Sequence, residues 1–148
     1  ERVDAIDEAQ DLKPRQLEQI RLLSNLETQK SKLMQIILVG QPELLDNLRL
    51  DSLRQLNQRI SVRYHILPLK ENETKNYIEH RLRIACRRQD GPLPVAFTEA
   101  AFKGIYHFSN GTPRLINIIC DRALLNGFAN TTKTIDDQII CKCAREVT

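Results

Sequence analysis

The chain has 148 residues, of which 41% are hydrophobic and 28% are charged. This length fits one ordinary domain, or a small αβ piece followed by a small helical piece, and the hydrophobic content is sufficient for a buried core. The formal net charge is only +3. That balance argues against a dedicated polyanion binder, although it leaves room for a local basic patch.

The cysteines do not indicate a zinc finger. Cys86, Cys120, Cys141 and Cys143 include no C-x-x-C pair, and no second ligand pair lies at zinc-finger spacing. We expect reduced thiols, with Cys120 buried in an apolar helical run. Because there is no signal peptide and no apolar run of about 20 residues, we also expect a soluble segment in the cytoplasm, without direct membrane contact.

The first half of the chain alternates strand and helix patterns, which predicts a mostly parallel sheet. One predicted strand is the short apolar run before Asp7. A second runs from Met34 to Val39, and its continuous apolar character predicts a strand covered on both faces. A helix is predicted to begin at Pro14. The apolar side of this helix is formed by Leu17, Ile20, Leu23 and Leu26. The other predicted elements of this half are a polar connection from Glu27 to Lys32, a helix after Gln41-Pro42, a helix from Leu53 to about Ile60, and a short strand from Ser61 to Ile66.

The residues after Pro68 carry no strand pattern and favour helices alone. Four helices are predicted there, from Thr74 to Arg88, from the N-cap Thr98 to about Phe108, from Pro113 to about Phe128, and from Ile135 to Val147. The predicted fold class is therefore α/β followed by all-α, with an αβ part at residues 1–68 and a helical part at residues 69–148.

Asp7 and Glu8 are adjacent acids at the predicted end of the first strand. A strand that ends there delivers two carboxylates to the tip of a sheet. In NTPases the first acid of such a pair holds Mg²⁺ and the second activates the attacking water. Acidic pairs are common in proteins, so a surface strand end without function is the alternative interpretation.

Gln41 follows the second predicted strand directly. The carboxyl ends of neighbouring parallel strands are where ligands bind in such sheets, so its side chain is placed to polarise a water or a phosphate oxygen. The alternative is that Gln41 only begins the next helix.

Arginines at two further places are candidates for anion binding. Arg59 lies at a predicted helix-to-strand junction, from which a guanidinium can reach the nucleotide of a neighbouring subunit, and Arg63 is the competing candidate. Arg114 follows Gly111-Thr112-Pro113 and falls in the first turn of a helix, close to a positive helix terminus. The alternatives are solvated surface arginines, or an Arg114 paired with a nearby carboxylate.

The order of these motifs resembles the AAA+ ATPases of the general secretion pathway protein A type. Five segments carry the resemblance: Asp7-Glu8-Ala9-Gln10, Leu22 to Thr28, Leu38 to Leu44, Gln58 to His65, and Gly111 to Asn117. The resemblance implies a partial AAA+ parallel sheet core followed by a helical lid. It also implies ATP and Mg²⁺ as cofactors, a homo-oligomer, and partners among envelope secretion or assembly proteins of the type II secretion, mannose-sensitive pilus or polysaccharide-export kind.

The same resemblance implies roles for individual residues. Asp7 and Glu8 would be the Walker B residues, with Asp7 as metal ligand and Glu8 as catalytic base. Gln41 would occupy the sensor 1 position. Arg59 would be the arginine finger, and Arg114 the sensor 2 arginine of the helical lid.

The chain departs from the family pattern in three ways. It contains no G-x-x-x-x-G-K-[ST] phosphate loop, so we expect the isolated chain to hydrolyse ATP negligibly. The family's first two strands, and the membrane helix and peptidoglycan-binding region of several members, also have no counterpart. Asp4 interrupts the apolar strand before Asp7, and we expect it near an edge because a buried, unpaired carboxylate is costly.

Three other functions remain as alternatives to an envelope-assembly ATPase. A DNA-associated AAA+ protein of the transposition or branch-migration type also carries a Gly-Thr-Pro-Arg lid motif. It usually needs a basic winged helix or tail, which this chain lacks, so nucleic acid is not an expected partner. A helicase of the Asp-Glu-Ala-Asp type is disfavoured by the absence of its Ser-Ala-Thr motif. A purely partner-binding segment gains support from the missing phosphate loop.

Overall fold

The computed structural model describes residues 2–24, 34–86 and 93–146. Its contacts divide the chain into two compact units, Glu1–His65 and Ile66–Thr148. Several sequence predictions fall outside the described residues, namely Leu26, the connection from Glu27 to Lys32, and the ends of helices predicted at Arg88 and Val147. The sequence places the domain boundary at Pro68, and that boundary stays a prediction.

The first unit combines a parallel strand pair with short helices. Its elements are β1 (Arg2–Ile6), a 3₁₀ turn (Ala9–Asp11), α1 (Pro14–Leu23), β2 (Met34–Leu38), α2 (Glu43–Leu48), a 3₁₀ turn (Asp51–Leu53) and α3 (Arg54–Arg59). β1 and β2 pair in parallel from Arg2↔Met34 to Ile6↔Leu38. Parallel pairing of strands separated by a helix is the arrangement that the alternating pattern predicts.

β2 is covered on one face only, contrary to the prediction that both faces would be buried. Ile36 and Leu38 pack against the core of the first unit, whereas Ile37 is 50% exposed. Successive side chains of a strand point to opposite faces, so a helix layer against one face leaves the other face open. Among the described residues, no element covers that second face.

α1 begins where the sequence predicts, at Pro14. Lys13 N–H donates to Oε1 of Gln16 (2.9 Å), which satisfies one of the unpaired amides at the helix start. Leu17 and Ile20 are buried, but Leu23 is half exposed because the helix ends there.

Asp4 lies on β1, where its carboxylate pairs with the Arg2 guanidinium at 2.8 Å. Its side chain is one-third exposed. The carboxylate is therefore neither fully buried nor unpaired, as the cost of burying a lone charge requires.

The strand predicted from Ser61 to Ile66 is wrong. Residues 60–70 have neither helical structure nor a paired strand partner among the described residues. Val62 is 80% exposed and Tyr64 is 90% exposed. A β-branched and aromatic run favours a strand only where a neighbouring strand supplies its hydrogen bonds, and none of the described strands does so.

The second unit is mainly helical. Its elements are α4 (Glu71–Ala85), β3 (Ala96–Phe97), α5 (Glu99–Ser109), α6 (Pro113–Ala129), β4 (Thr134–Ile135) and α7 (Asp137–Arg145). β3 and β4 pair in parallel through Ala96↔Thr134 and Phe97↔Ile135. The prediction of helices alone after Pro68 was therefore wrong in this detail. Two-residue strands are too short to carry a period-two pattern.

Local capping signals correctly predicted the starts of α5 and α6, whereas α4 begins at Glu71 instead of Thr74 and α7 at Asp137 instead of Ile135. The Thr98 hydroxyl accepts a hydrogen bond from Ala101 N–H at 3.1 Å, which confirms Thr98 as an N-cap. Asp136 caps α7 in the same way through Ile139 N–H at 3.0 Å. The helices enclose one core, whose largest fully buried apolar side chains are Ile105, Ile116, Ile119, Ile135 and Ile140.

Cys120 is buried in α6, as the sequence predicts, and all four cysteines are free thiols. Burial raises the pKa of the Cys120 thiol to about 12, with the neighbouring Asp121 charge acting in the same direction. Such a thiol is protonated at neutral pH and is a poor nucleophile. Within the described ranges, no helix is long and apolar enough to cross a bilayer.

Gly111 occupies a turn that admits no side chain. Its φ is +74°, and a Cβ there would lie 1.9 Å from the carbonyl oxygen of Leu69. The close approach is fixed by hydrogen bonds from Leu69 N–H to Gly111 O (2.9 Å) and from Gly111 N–H to Oγ of the buried Ser109 (3.2 Å). This turn connects α5 to α6 and thereby sets the position at which α6 begins.

Gly111→Ala should destabilise the second unit by about 2–4 kcal/mol, because it adds backbone strain and a clash that only main-chain movement relieves. Thermal unfolding followed by circular dichroism should show a midpoint lower by about 10 °C or more. Gly104→Ala is the matched control, since Gly104 lies inside α5 and its nearest neighbour would be an Ile140 methyl at 3.3 Å. An equal effect of the two substitutions would contradict the role given to the turn.

Candidate functional site

Two backbone hydrogen bonds continue the β1–β2 pairing beyond the strands. Val39 N–H donates to Ile6 O at 2.8 Å, and Ala9 N–H donates to Val39 O at 2.9 Å. Ala9 is fully buried, so the chain is anchored on both sides of the acidic pair. Asp7 and Glu8 consequently lie at the carboxyl end of β1, beside the Gly40-Gln41 segment that follows β2.

Asp7 and Glu8 are both exposed at this strand end. Glu8 has a left-handed backbone conformation, with φ 51° and ψ 38°, and its N–H donates to Oδ1 of Asp7 at 2.9 Å. A non-glycine residue in this region costs on the order of 1–3 kcal/mol and is found preferentially at functional sites. The sharp bend turns the chain from β1 into the 3₁₀ turn and leaves both carboxylates facing solvent.

Gln10 joins the two strand ends through its side chain, a contact that the sequence reasoning missed. Its Nε2 donates to Oε2 of Glu8 at 2.6 Å, and its Oε1 accepts from Gln41 N–H at 3.0 Å. Its backbone carbonyl accepts a third hydrogen bond, from Asn47 Nδ2 at 3.0 Å. The only sequence signal was its place in Asp7-Glu8-Ala9-Gln10, where a polar residue two positions after an acid is unremarkable.

The structure therefore brings Asp7, Glu8 and Gln41 to one edge of the strand pair. Gln41 contributes its backbone N–H to the hydrogen bonds there, and the residue is exposed. The proposed use of its side chain as a polarising group stays a prediction.

The acidic pair fits a metal held mainly by other oxygen ligands. The described ranges contain no group of three His, Cys, Asp or Glu side chains placed to hold a metal ion. One oxygen of Asp7 accepts the Glu8 amide, and its Oδ2 makes no hydrogen bond within the described chain. Mg²⁺ commonly binds proteins through one or two carboxylates while phosphates and waters complete its octahedron, so a single free carboxylate oxygen is a suitable protein ligand.

Arg59 and Arg63 both lie at the end of α3 or shortly after it, in the first unit. Arg59 is exposed in the last turn of α3. Arg63 Nη2 donates to the backbone oxygen of Asn57 at 3.0 Å and to its Oδ1 at 2.5 Å, which ties the segment after α3 back to that helix. This arrangement is typical of an arginine that holds a loop, whereas the finger role of Arg59 stays a prediction.

Arg114 occupies the first turn of α6 in the second unit, directly after the Gly111 turn. It is exposed, and its guanidinium makes no hydrogen bond or ion pair with any residue that the structure describes. The predicted alternative, pairing with a nearby carboxylate, is therefore not seen among those residues. A guanidinium presented in a first helical turn is suited to bind an anion.

Comparisons with known proteins agree with the motifs. A family model described as an AAA domain matches residues 1–48. The chain is 48% identical over 142 residues to the general secretion pathway protein A of Aeromonas hydrophila. That alignment covers 96% of this chain but 25% of the relative, so the chain spans a quarter of the relative's length. The two comparisons confirm the resemblance drawn from the motifs: the chain is similar over almost its whole length to a general secretion pathway protein A, and its first 48 residues match an AAA domain.

Proposed function

We propose that this chain is part of an ATPase that couples ATP binding and hydrolysis to assembly of a bacterial envelope system for secretion, pilus formation or polysaccharide export. One observation carries the proposal, the placement of Asp7 and Glu8 at the carboxyl end of β1 beside Gln41. The similarity to an AAA domain and to a general secretion pathway protein supports it. We place the protein in the cytoplasm, at the inner face of the membrane, as a homo-oligomer.

In this function the two carboxylates divide the chemistry between them. Asp7 would hold Mg²⁺ through its carboxylate, and the ion would supply charge neutralisation for the phosphate oxygens of ATP. Glu8 orients the attacking water and accepts its proton. This division is the one that the resemblance implies, and it is compatible with the structure, where one Asp7 oxygen accepts the Glu8 amide hydrogen and one Glu8 oxygen accepts a hydrogen of the Gln10 amide.

Three further residues have proposed roles toward the nucleotide. Gln41 orients water or a phosphate oxygen from the end of β2. Arg59 acts on the nucleotide of a neighbouring subunit, where a guanidinium stabilises charge on the transferred phosphoryl group. Arg114 reads the nucleotide state from the first turn of α6, so that loss of the terminal phosphate releases one of its contacts.

Glu8→Gln in the full-length protein should lower the turnover of ATP by about 10²–10⁴-fold, because the amide keeps the shape of the side chain but cannot take a proton from water. Nucleotide affinity should stay nearly unchanged, as measured by fluorescence titration with a labelled ATP. Glu71→Gln, the same change at an exposed position of α4, is the control. Normal turnover in Glu8→Gln would remove the proposed role of Glu8.

Arg59→Ala should lower turnover by about 10³–10⁵-fold if the guanidinium acts in trans. Mixing Arg59→Ala with Glu8→Gln protein should then restore activity in part, since mixed assemblies contain interfaces where both groups are intact. Arg63→Ala is the comparison. Because Arg63 is hydrogen bonded to Asn57, its removal should lower the thermal stability of the protein more than its turnover of ATP. Absence of rescue in an assembly shown to exchange subunits would argue against action between subunits.

Arg114→Ala should leave the thermal midpoint of the nucleotide-free protein nearly unchanged, because the exposed guanidinium makes no contact within the described residues. It should remove most of the extra stabilisation that a non-hydrolysable ATP analogue gives relative to ADP. Arg83→Ala, at an exposed position of α4 in the same unit, should keep that difference. A lower midpoint of the nucleotide-free protein with the ATP–ADP difference intact would instead make Arg114 a structural residue.

A further inference from the structure

The Gln10 amide is held at both ends, which is unusual for a partly exposed side chain. The Nε2–Oε2 distance of 2.6 Å to Glu8 is short, and the acceptor is a carboxylate, so this is a charge-assisted hydrogen bond. The other end of the amide accepts the Gln41 amide hydrogen at 3.0 Å. The orientation of the amide is thereby set by its contacts, with the donor toward Glu8 and the acceptor toward the backbone after β2.

Gly40 provides the space that this amide occupies. A Cβ at Gly40 would lie 2.8 Å from Oε1 of Gln10 and 3.3 Å from the Gln10 backbone nitrogen. The backbone of Gly40 is not in the left-handed region that favours glycine. The Gln10 amide is thus the closest of the groups that occupy the space of a Cβ at this position, and the Leu44 side chain follows at 3.2 Å.

We propose that Gln10 is a positioning residue, which holds the Glu8 carboxylate in place through its amide and ties it to the backbone N–H of Gln41. The inference rests on the proposed role of Glu8 as the base. Glu8 combines a left-handed backbone with an exposed side chain, and among the described residues the Gln10 amide is the group that holds its carboxylate. A movement of the backbone after β2 would then change the position of the Glu8 carboxylate through the Gln10 side chain.

A purely structural role for Gln10 makes a different prediction, and Gln10→Glu separates the two. The variant keeps an oxygen to accept the Gln41 amide hydrogen, and it keeps the shape of the side chain. It replaces the donor that faces Glu8 by a second carboxylate oxygen, which repels the first. The fold-holding contact is thus kept, while the contact that positions Glu8 is lost.

The experiment measures steady-state ATP hydrolysis and the nucleotide-free thermal midpoint of the full-length protein. Gln10→Glu should lower kcat by about 10–100-fold, the scale expected for a displaced catalytic group, with KM changed by less than about two-fold. Gln19→Glu, the same change at an exposed position of α1, should leave kcat unchanged. In a Glu8→Gln background, Gln10→Glu should cause no further loss, because residues that act as a unit are not additive.

Wild-type kcat in Gln10→Glu would overturn the inference, and so would an equal further loss in the Glu8→Gln background. If Gln10→Glu also lowers the thermal midpoint, Gly40→Ala decides, since its methyl group displaces the native amide. The Gly40→Ala variant should lower kcat at unchanged KM, and an unchanged kcat in this variant would refute the role of Gln10. Failure of the proposed function has a different signature, namely normal turnover in the Glu8→Gln single variant.

Discussion

The arrangement of the first unit depends on hydrogen bonds that extend the parallel pairing of β1 and β2 past the last residues of both strands. Val39 bonds to Ile6 on one side and to Ala9 on the other, so the chain after β1 cannot separate from the chain after β2. Ala9 is completely buried in the core of the first unit. Two exposed acids placed between a paired strand and a buried anchor have little freedom of position. A polar site at the end of a small sheet requires such an anchor, because contacts between exposed side chains add little to the stability of the backbone that carries them.

In the second unit a turn, and not a strand pair, fixes the backbone next to a candidate residue. Gly111 contacts the Leu69 backbone so closely that no other residue fits, and Ser109 accepts its amide hydrogen from inside the core. α6 therefore begins at a fixed place, and Ile116, one turn into the helix, is fully buried. Arg114 projects to solvent from this rigid start. In both units a polar candidate residue lies within a few residues of a buried, sterically constrained backbone segment.

The candidate residues thus combine a rigid backbone with a side chain that is accessible to solvent. The backbone supplies the position, and the side chain keeps its freedom to meet a ligand. Gln10 is the exception, because both ends of its side-chain amide are hydrogen bonded. Its oxygen accepts from the backbone after β2, and its nitrogen donates to the Glu8 carboxylate after β1. This contact makes the acidic pair part of a structure that includes β2, and a substitution at Gly40 therefore bears on Glu8 without touching it.

The sequence by itself determined the local elements and the residues worth testing. Pro14 and Thr98 mark helix starts where the structure has them, and the Met34 run forms a strand, because capping and periodicity depend on neighbours in sequence. Only the tertiary structure decided that 61–66 lacks a strand partner among the described residues, that β3 pairs with β4, and that Gln10 joins Glu8 to Gln41. These depend on contacts between distant positions, such as the 31 residues that separate Gln10 from Gln41. Such pairings are decided by where the chain folds back on itself, and a local pattern does not contain that information.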